Sequence, residues 1–427
     1  VGCGHHAANK GAQVFYFYNS HIVPERTLKL FQRHANPIIP LEVDMGAQAI
    51  AGSTRLQAAT LAELFLGFSL EKALSSEKDV PIDFESIARF LGKILEIIKT
   101  QEDGIKAVVQ SEVAVFSHPE ANFRRSRDYS CQGYVTLLAP KDSIRETFID
   151  STETAPTFST NPPRREYEVK KRRAEFRAYL IGSVDNQSAW RALTGRELNS
   201  EDHNDAMAFV LSSEVEGLNS YASRPKGKGN LVIGVCKMFD NESSLGELLS
   251  HLKVAKKEGT EVAVIVLSHN NISAIDKKQI ENEVGTAIFL ENVPCDKYKV
   301  LPTFTLKLVL NLISNSSMVL MNKVYGNRMI DVSVSNNKLI DRTMRLINEI
   351  WLENHPEKLI DDETLYNYIQ QIYIEKVQKQ EDGIYTPSIV NIMLNMLTYE
   401  KTPAELQQVI TAMANNQERL DFLYLNE

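Results

Sequence analysis

Two short stretches of this chain carry residue types that can hold a phosphorylated ligand. The first is Gly52-Ser53-Thr54-Arg55, which opens a long amphipathic helical pattern running to Phe68. The unpaired N–H groups and positive dipole end of a helix N-terminus suit phosphate, glycine allows close backbone approach, and two hydroxyls and a guanidinium add donors. An ordinary N-cap at Ser53 fits the same four residues, so the tetrapeptide alone leaves both readings open. The second stretch is residues 323–342. A helix ends near Lys323, a Tyr325-Gly326-Asn327 turn and an extended alternating run follow, and Asn336-Asn337-Lys338-Leu339 opens another helix. Lys323 can neutralise a phosphate or satisfy the last carbonyls of its own helix, and the spacing weighs the two evenly. Glu42 and Asp44 flank the first stretch at a strand end, where two carboxylates can divide acid and base work.

Other constellations are weaker. Gly2-Cys3-Gly4-His5-His6-Ala7 reads as a strand-to-helix turn. His5 and His6 can cap a phosphate or bind metal there, but adjacent histidines are rarely joint ligands in such a turn, and a partly exposed pair is the plainer reading. Cys3, Cys131, Cys236 and Cys295 lie far apart without a Cys-x-x-Cys pair. That fits buried thiols in a reduced compartment and argues against a disulfide frame or a zinc site. No metal and no cofactor is expected. Asp361-Asp362-Glu363 reads as charge matched to a helix start. The basic run at 170–173 reads as a solvated loop face, because no aromatic platform accompanies it. Ser243 or Ser244 reads as a helix N-cap, and Trp190 and Trp351 as packing residues.

These residues need a scaffold. Short apolar runs at 14–18, 36–43, 133–138, 176–182, 230–236, 261–268 and 286–291 read as buried parallel strands. Helical patterns such as 243–257 lie between many of them, and the alternation argues an open α/β fold with a mostly parallel sheet. In such a sheet, ligands bind beyond the carboxyl ends of the strands. Residues 81–116 read as helical and lead into a second α/β unit. From 341 onward the strands stop, and 341–353, 362–379, 386–399 and 402–415 read as helices. The last opens with a Thr402-Pro403-Ala404-Glu405 capping box. A faint repeat aligns the strand end Leu41-Glu42 and its following helix with Leu290-Glu291 and the next helix, which indicates two copies of one domain. The second copy carries Pro294-Cys295-Asp296-Lys297-Tyr298 where the first has Gly-Ser-Thr. With 427 residues the chain should hold two or three domains, and its net charge of −8 argues against a dedicated nucleic-acid binder. No apolar run reads as long enough to cross a membrane, and a cytoplasmic setting is expected. The first residues read as the end of a buried strand, so the first unit is expected to be incomplete at its N-terminus.

GSTRLQAAT together with KVYGNRMIDV and SNNKL resembles the superfamily of N-acetylmuramic acid 6-phosphate etherases and glucokinase regulatory proteins, built on the sugar isomerase (SIS) domain. In this chain a whole further α/β unit separates the two motifs, as in the tandem arrangement of the regulatory proteins. The resemblance extends to GYVTLL, the basic segment before FRAYLIG, KMFDNESSLGELLSHL, LKLVLNLISNSSMVLMNKV and YTPSIVNIMLNML. It implies two SIS-type doubly wound parallel-sheet domains, the first incomplete at its N-terminus, plus a C-terminal all-helical cap. Residues 1–76 would be the C-terminal part of the first SIS domain, 77–340 the second with its leading helices, and 341–427 the cap.

The resemblance also implies a fructose-phosphate-like ligand between these parts. Gly52, Ser53, Thr54 and Arg55 would line it, and Lys323 would reach its phosphate. A second phosphate loop would fall at Gly4 and His5, here without a hydroxyl. The glutamates that etherases use, and a first glycine-rich loop, would belong upstream of Val1, which leaves the catalytic residues unassigned. The second unit's loop, Ala139-Pro140-Lys141-Asp142-Ser143, is not glycine-rich and is expected to mark a degenerate, structural copy. The expected function is a phosphosugar-binding regulator or sensor of the glucokinase regulatory protein type, controlling a sugar kinase, with no nucleic-acid or membrane partner. The alternatives are an etherase or lyase acting on an amino-sugar phosphate, a sugar-phosphate isomerase, or a scaffold whose sugar site has decayed.

Overall fold

The computed structural model of the protein describes residues 2–19, 38–44, 46–51, 53, 55–74, 83–118, 121, 132–158, 160–161, 163, 165, 173–199, 207–238, 243–332, 334, 336–381 and 388–415. The chain divides into two compact units, residues 1–83 and 84–427. Both contain parallel strands and helices, and the chain ends in helices, an architecture compatible with SIS-type doubly wound domains and a helical C-terminal segment.

Unit 1 begins with helix α1 (Gly2–Asn9), which corrects the reading of these residues as a strand end and a turn. No β-branched residue follows Val1 until Val14, so nothing in the run favours an extended backbone over a helix. Gly11 ends the helical course with φ of 84°, where a side chain would be strained. Strands β1 (Phe15–Asn19) and β2 (Ile39–Val43) pair in parallel, with Tyr18 opposite Glu42. Ala8 and Ile38 form a small buried cluster with Val14 and Tyr16 against them. The helix α2 (Gln57–Leu74) follows the candidate ligand loop.

Unit 2 opens with α3 (Phe84–Thr100) and α4 (Glu102–Ser117). The α/β core follows in chain order as β3 (Val135–Ala139), α5 (Ile144–Phe158), β4 (Phe176–Leu180), α6 (Asn186–Thr194), β5 (Leu231–Met238), α7 (Ser243–Lys257), β6 (Glu261–Ser268), α8 (Ala274–Val284) and β7 (Thr286–Leu290). The five strands run parallel in the order β4-β3-β5-β6-β7. Strand order reverses between β3 and β5, which puts a topological switch point at their carboxyl ends. β3 to β6 are buried almost throughout, as continuous apolar runs in a doubly covered sheet require. α7 and α8 cover one face through Leu248, Leu252 and Ile280. Gly234 on β5 lets α7 approach, since a Cβ there would lie 2.8 Å from Leu252 Cδ1.

At the amino ends of β3 and β4, Arg224 acts as a clamp. Its guanidinium donates to the carbonyls of Ala174 (2.7 Å), Val135 (2.9 Å) and Glu175 (2.6 Å), and to the Thr136 hydroxyl. Burial lowers its pKa to about 10, so it remains charged at neutral pH.

Helix α9 (Val300–Leu320) packs against α4 and α5. By length and composition it is apolar enough to cross a membrane, which corrects the reading that no run is. Its polar side chains are nevertheless engaged inside the unit. Ser317 Oγ donates to Glu112 Oε2 (2.6 Å), while Asn311 Nδ2 (2.8 Å) and Ser314 Oγ (3.1 Å) donate to Asp150 Oδ1. The hairpin β8 (Val324–Tyr325) and β9 (Arg328–Met329) turns at Gly326-Asn327.

Helices α10 (Asn337–Asn354), α11 (Asp362–Glu381), α12 (Ile389–Thr398) and α13 (Leu406–Asn415) complete the unit. They share one apolar cluster that includes Ile347, Ile350, Leu365, Ile369, Ile392 and Met393. Thr402 and Glu405 pair as expected, with Thr402 N–H and hydroxyl both donating to Glu405 Oε2 at 3.0 Å, but Pro403–Glu405 form a 3-10 turn and the α-helix begins only at Leu406. Lys401, bonded to the same carboxylate, and the Thr402 donors hold the Glu405 pKa down to about 2.

Candidate functional site

In unit 1, the loop from β2 to α2 is folded by its own side chains. Asp44 Oδ1 accepts the Gly46 N–H at 2.9 Å, and the Gln57 side chain bonds Ala49 N–H (2.5 Å) and the Ala47 carbonyl (3.0 Å). Gln57, the first residue of α2, thereby pins residues 47–49 beside the helix start. Ser53 N–H closes a turn onto Ile50 O at 3.0 Å. The Ser53 side chain is 3% exposed, and its hydroxyl has no hydrogen-bond partner among the described residues. That removes the ordinary N-cap reading, because α2 starts four residues later and Ser53 Oγ bonds none of its N–H groups. A buried hydroxyl without a partner forfeits about 1–3 kcal/mol, a cost that a ligand oxygen can relieve. Arg55 is also buried. Glu42, at the end of β2, accepts the Tyr18 hydroxyl across the strand pair at 3.1 Å. Burial, then the Glu42 hydrogen bond and charge, raise the Tyr18 pKa, so the phenol stays protonated. Gly52 and Thr54 lie outside the described residues. Gly4 and His5 fall within α1, with side chains outside the description, and His6 is exposed.

The corresponding places of unit 2 are filled by its own groups. At the start of α9, Asp296 accepts the Val300 N–H at 2.8 Å and the Leu301 N–H at 2.7 Å. A carboxylate thus sits on this helix N-terminus, in the segment that the sequence repeat aligned with Gly52-Ser53-Thr54. At the switch point, Lys237 Nζ donates to Glu146 Oε1 at 2.7 Å, and Lys237 N–H donates to Ser143 Oγ at 2.9 Å. An ammonium and a carboxylate from the protein occupy this edge, and both are largely buried.

Lys323 forms a second charged centre in unit 2. Asn322 takes the left-handed conformation (φ 57°) after α9, and Lys323 N–H returns to Met318 O at 3.1 Å. The Lys323 side chain is 5% exposed. Its Nζ donates to Asp331 Oδ2 at 2.7 Å and to the carbonyl of Phe158. Phe158 is the last residue of α5, so Lys323 satisfies a helix C-terminal carbonyl of α5 and not of its own helix. Two more charged groups lie within electrostatic reach. Glu175, fully buried before β4, accepts Asn161 N–H and Nδ2 at 2.5 Å each. Burial raises its pKa against those hydrogen bonds and the Lys323 charge. Lys376 on α11 feels both Asp331 and Lys323, and burial lowers its pKa.

Asp331, Glu175, Lys376 and Asp296 were not among the sequence candidates. Asp331 lies eight residues past Lys323 in the extended run, and Asp296 stands at the degenerate copy of the ligand loop, so both had a positional signal. Lys376 lies in an ordinary polar helical pattern and had none. The basic residues 170–172 lie outside the description, while Arg173 NH1 donates to Ser223 O at 2.6 Å. Asp361 caps α11 by accepting Thr364 N–H at 2.8 Å and Thr364 Oγ1 at 2.7 Å. No group of metal-ligating side chains occurs among the described residues. Cys236 is buried, and burial pushes its thiol up to about 12, whereas Cys295 is exposed, contrary to the expectation of buried thiols.

No family model matches the chain. It is similar to proteins named N-acetylmuramic acid 6-phosphate etherase from three bacteria. The Clostridium acetobutylicum protein is 29% identical over 264 residues, covering 59% of this chain and 74% of the relative. The Oceanobacillus iheyensis protein is 25% identical over 326 residues, covering 74% and 89%. The Staphylococcus aureus protein is 27% identical over 231 residues, covering 54% and 66%.

Proposed function

We propose that this chain is a phosphosugar-processing protein of the SIS type, and that its chemistry is the etherase-like removal of an ether-linked acid from an amino-sugar 6-phosphate. The similarity to etherases favours this reading over the regulatory one. The observation that carries it is the Ser53 hydroxyl, buried ahead of α2 and without a hydrogen-bond partner among the described residues, on the loop that follows β2 and its terminal Glu42. Ser53 and the backbone of the 52–55 loop hold the sugar phosphate.

Loss of an ether-linked acid from the carbon two away from a carbonyl needs a base for the proton on the carbon in between and an acid for the leaving oxygen, and water then adds across the double bond formed. Glu42 is the candidate for one of these roles in the described residues. Its carboxylate already accepts a proton-bearing oxygen from Tyr18, which holds it at the strand end.

The test is release of lactate from N-acetylmuramic acid 6-phosphate, followed by a coupled lactate assay. Wild-type protein should release it, and Glu42→Gln should lower kcat by about 10²-fold or more at similar KM. No turnover by the wild type, together with tight binding of the substrate, would move the protein to the second reading.

That second reading is a phosphosugar sensor that controls a sugar kinase. It is favoured by one observation: the extra α/β unit has its helix N-terminus filled by Asp296, which suits a structural copy beside a working one.

A further inference from the structure

Two guanidinium groups lie side by side inside unit 2. Arg177 on β4 stands opposite Thr136 on β3 in the strand register, so the two side chains leave the sheet on one face. Arg224 donates through Nε to the Thr136 hydroxyl, which brings its guanidinium to the same place. Each arginine is only 4% exposed. The three Arg224 nitrogens are all engaged, by Thr136 and by backbone carbonyls. Arg177 differs. Its NH2 donates to Val210 O at 2.6 Å, and its guanidinium lies 5.1 Å from the centroid of the Tyr179 ring. Its Nε and NH1 have no hydrogen-bond partner among the described residues. Glu175, two residues earlier, takes its donors from Asn161, and neither arginine forms an ion pair with a described carboxylate. A buried charge without compensation is costly, and a like charge beside it adds to the cost. Open N–H donors on a buried cation are the complement of an oxyanion, for which a guanidinium is the best-shaped side chain.

We propose that Arg177 is the donor core of a second anion site, on the β3–β4 face of unit 2, which takes a free phosphate- or sulfate-sized dianion with Arg224 as the second positive charge. Arg177 is the second residue of β4, so the site lies toward the amino ends of the strands, away from the carboxyl edge where such sheets usually bind ligands. It is independent of the Ser53 loop and of the phosphosugar reading. Burial of both arginines restricts it to a small inorganic anion. Its cover is the segment from Val210 to Arg224. Val210 O accepts from Arg177, Asn219 O accepts the Tyr179 hydroxyl at 2.9 Å, and Ser213 N–H donates to Leu180 O at 2.8 Å. An anion on Arg177 relieves the repulsion between the guanidinium groups, so its binding favours the arrangement in which this segment is docked on β4.

The experiment uses the full chain with Ser53→Ala as the parent, which removes the hydroxyl of the unit 1 loop, alone and combined with Arg177→Lys or Arg177→Met. Thermal unfolding and hydrogen exchange of the Leu180 and Ser213 amides are followed in phosphate, sulfate and chloride at equal ionic strength, and with fructose 6-phosphate. Phosphate and sulfate should raise the unfolding temperature of the parent and slow both amides, and fructose 6-phosphate should leave those amides unchanged. Arg177→Lys should weaken the apparent phosphate affinity about tenfold and Arg177→Met about a hundredfold. In chloride alone, Arg177→Met should be at least as stable as the parent, because it exchanges an uncompensated buried charge for an apolar chain.

An Arg177→Met protein destabilised in chloride, with a parent that ignores phosphate, would show that a carboxylate of the chain already pairs with Arg177 and would overturn the proposal. An equal phosphate response in the parent and Arg177→Met would also overturn it. Protection by chloride equal to that by phosphate would refute the oxyanion assignment, and protection by fructose 6-phosphate but not by phosphate would refute the inorganic one.

Discussion

Lys323 and Phe158 are joined across 165 residues by one hydrogen bond, from the ammonium at the end of α9 to the last carbonyl of α5. The same ammonium bonds Asp331 at 2.7 Å. A positive charge at a helix C-terminus is favourable, and Asp331 supplies the counter-charge that a buried lysine needs. Asp331→Asn breaks that balance. It should lower stability by about 3 kcal/mol, the range for removing one partner of a buried pair. Thermal unfolding of the two proteins at neutral pH measures the difference. Equal stability of variant and wild type would show that Lys323 does not depend on Asp331 for its counter-charge.

Ser53 sets stability against binding. Its hydroxyl is buried without a partner in the free protein, so Ser53→Ala removes an unsatisfied group and should be neutral or stabilising by up to about 1 kcal/mol. The same variant should bind sugar phosphates about tenfold more weakly. Thermal unfolding and calorimetry on one preparation give both numbers. A variant that is clearly destabilised would show that the hydroxyl serves the fold.

Glu112 makes the stability of unit 2 fall as pH rises from about 4.5 to about 8. Burial, opposed by the Ser317 hydrogen bond and reinforced by the Asp150 charge, raises its carboxyl from 4.5 to about 8. The folded state therefore binds a proton that the unfolded state has already lost. Stability is fully present below pH 4.5 and is lost as pH climbs through 8, at up to ~1.4 kcal/mol per pH unit. Glu112→Gln keeps an acceptor for Ser317 and removes the titration. Urea unfolding followed at unit 2 should show the two proteins alike near pH 4.5 and the variant more stable by several kcal/mol at pH 9. Parallel pH profiles would refute the buried neutral acid.

Asp296 serves the first N–H groups of α9 with its own carboxylate. Asp296→Ala leaves the first N–H groups of α9 unserved and should destabilise unit 2 by about 1–2 kcal/mol, with Asp296→Asn costing less. Faster exchange of the Val300 and Leu301 amides in the alanine variant is the direct readout. Unchanged exchange would mean that those amides have another partner.

Much of the scaffold was legible because doubly covered parallel strands are continuous apolar runs. The runs over β5 and β6, such as Leu231-Val232-Ile233 and Val262-Ala263-Val264, carry no polar alternation that could confuse their assignment. The C-terminal helices announced themselves through periodicity and through caps such as Asn336, whose side chain accepts the Leu339 N–H. α1 did not, because small residues and histidines give no periodic signal. The electrostatics of the Lys323 centre were illegible for another reason. Phe158, Glu175 and Lys376 come to it from three distant points of the chain, and only the folded backbone brings them together. The sequence does show a lysine after a helix, but not which helix it will serve.

The Arg224 clamp has a consequence for synthesis. Its bonds reach back 50 residues to Ala174, 88 to Thr136 and 89 to Val135. While β3 and β4 are emerging from the ribosome, the carbonyls at their amino ends have no such donor, and closing loops of that length is entropically costly before other contacts form. The edge can be completed only when residues just ahead of β5, the strand that lies at the centre of the sheet, have been translated. Arg224 and β5 therefore arrive together, and the amino ends of β3 and β4 gain their donor in the same step that adds the central strand, before β6 and β7 follow.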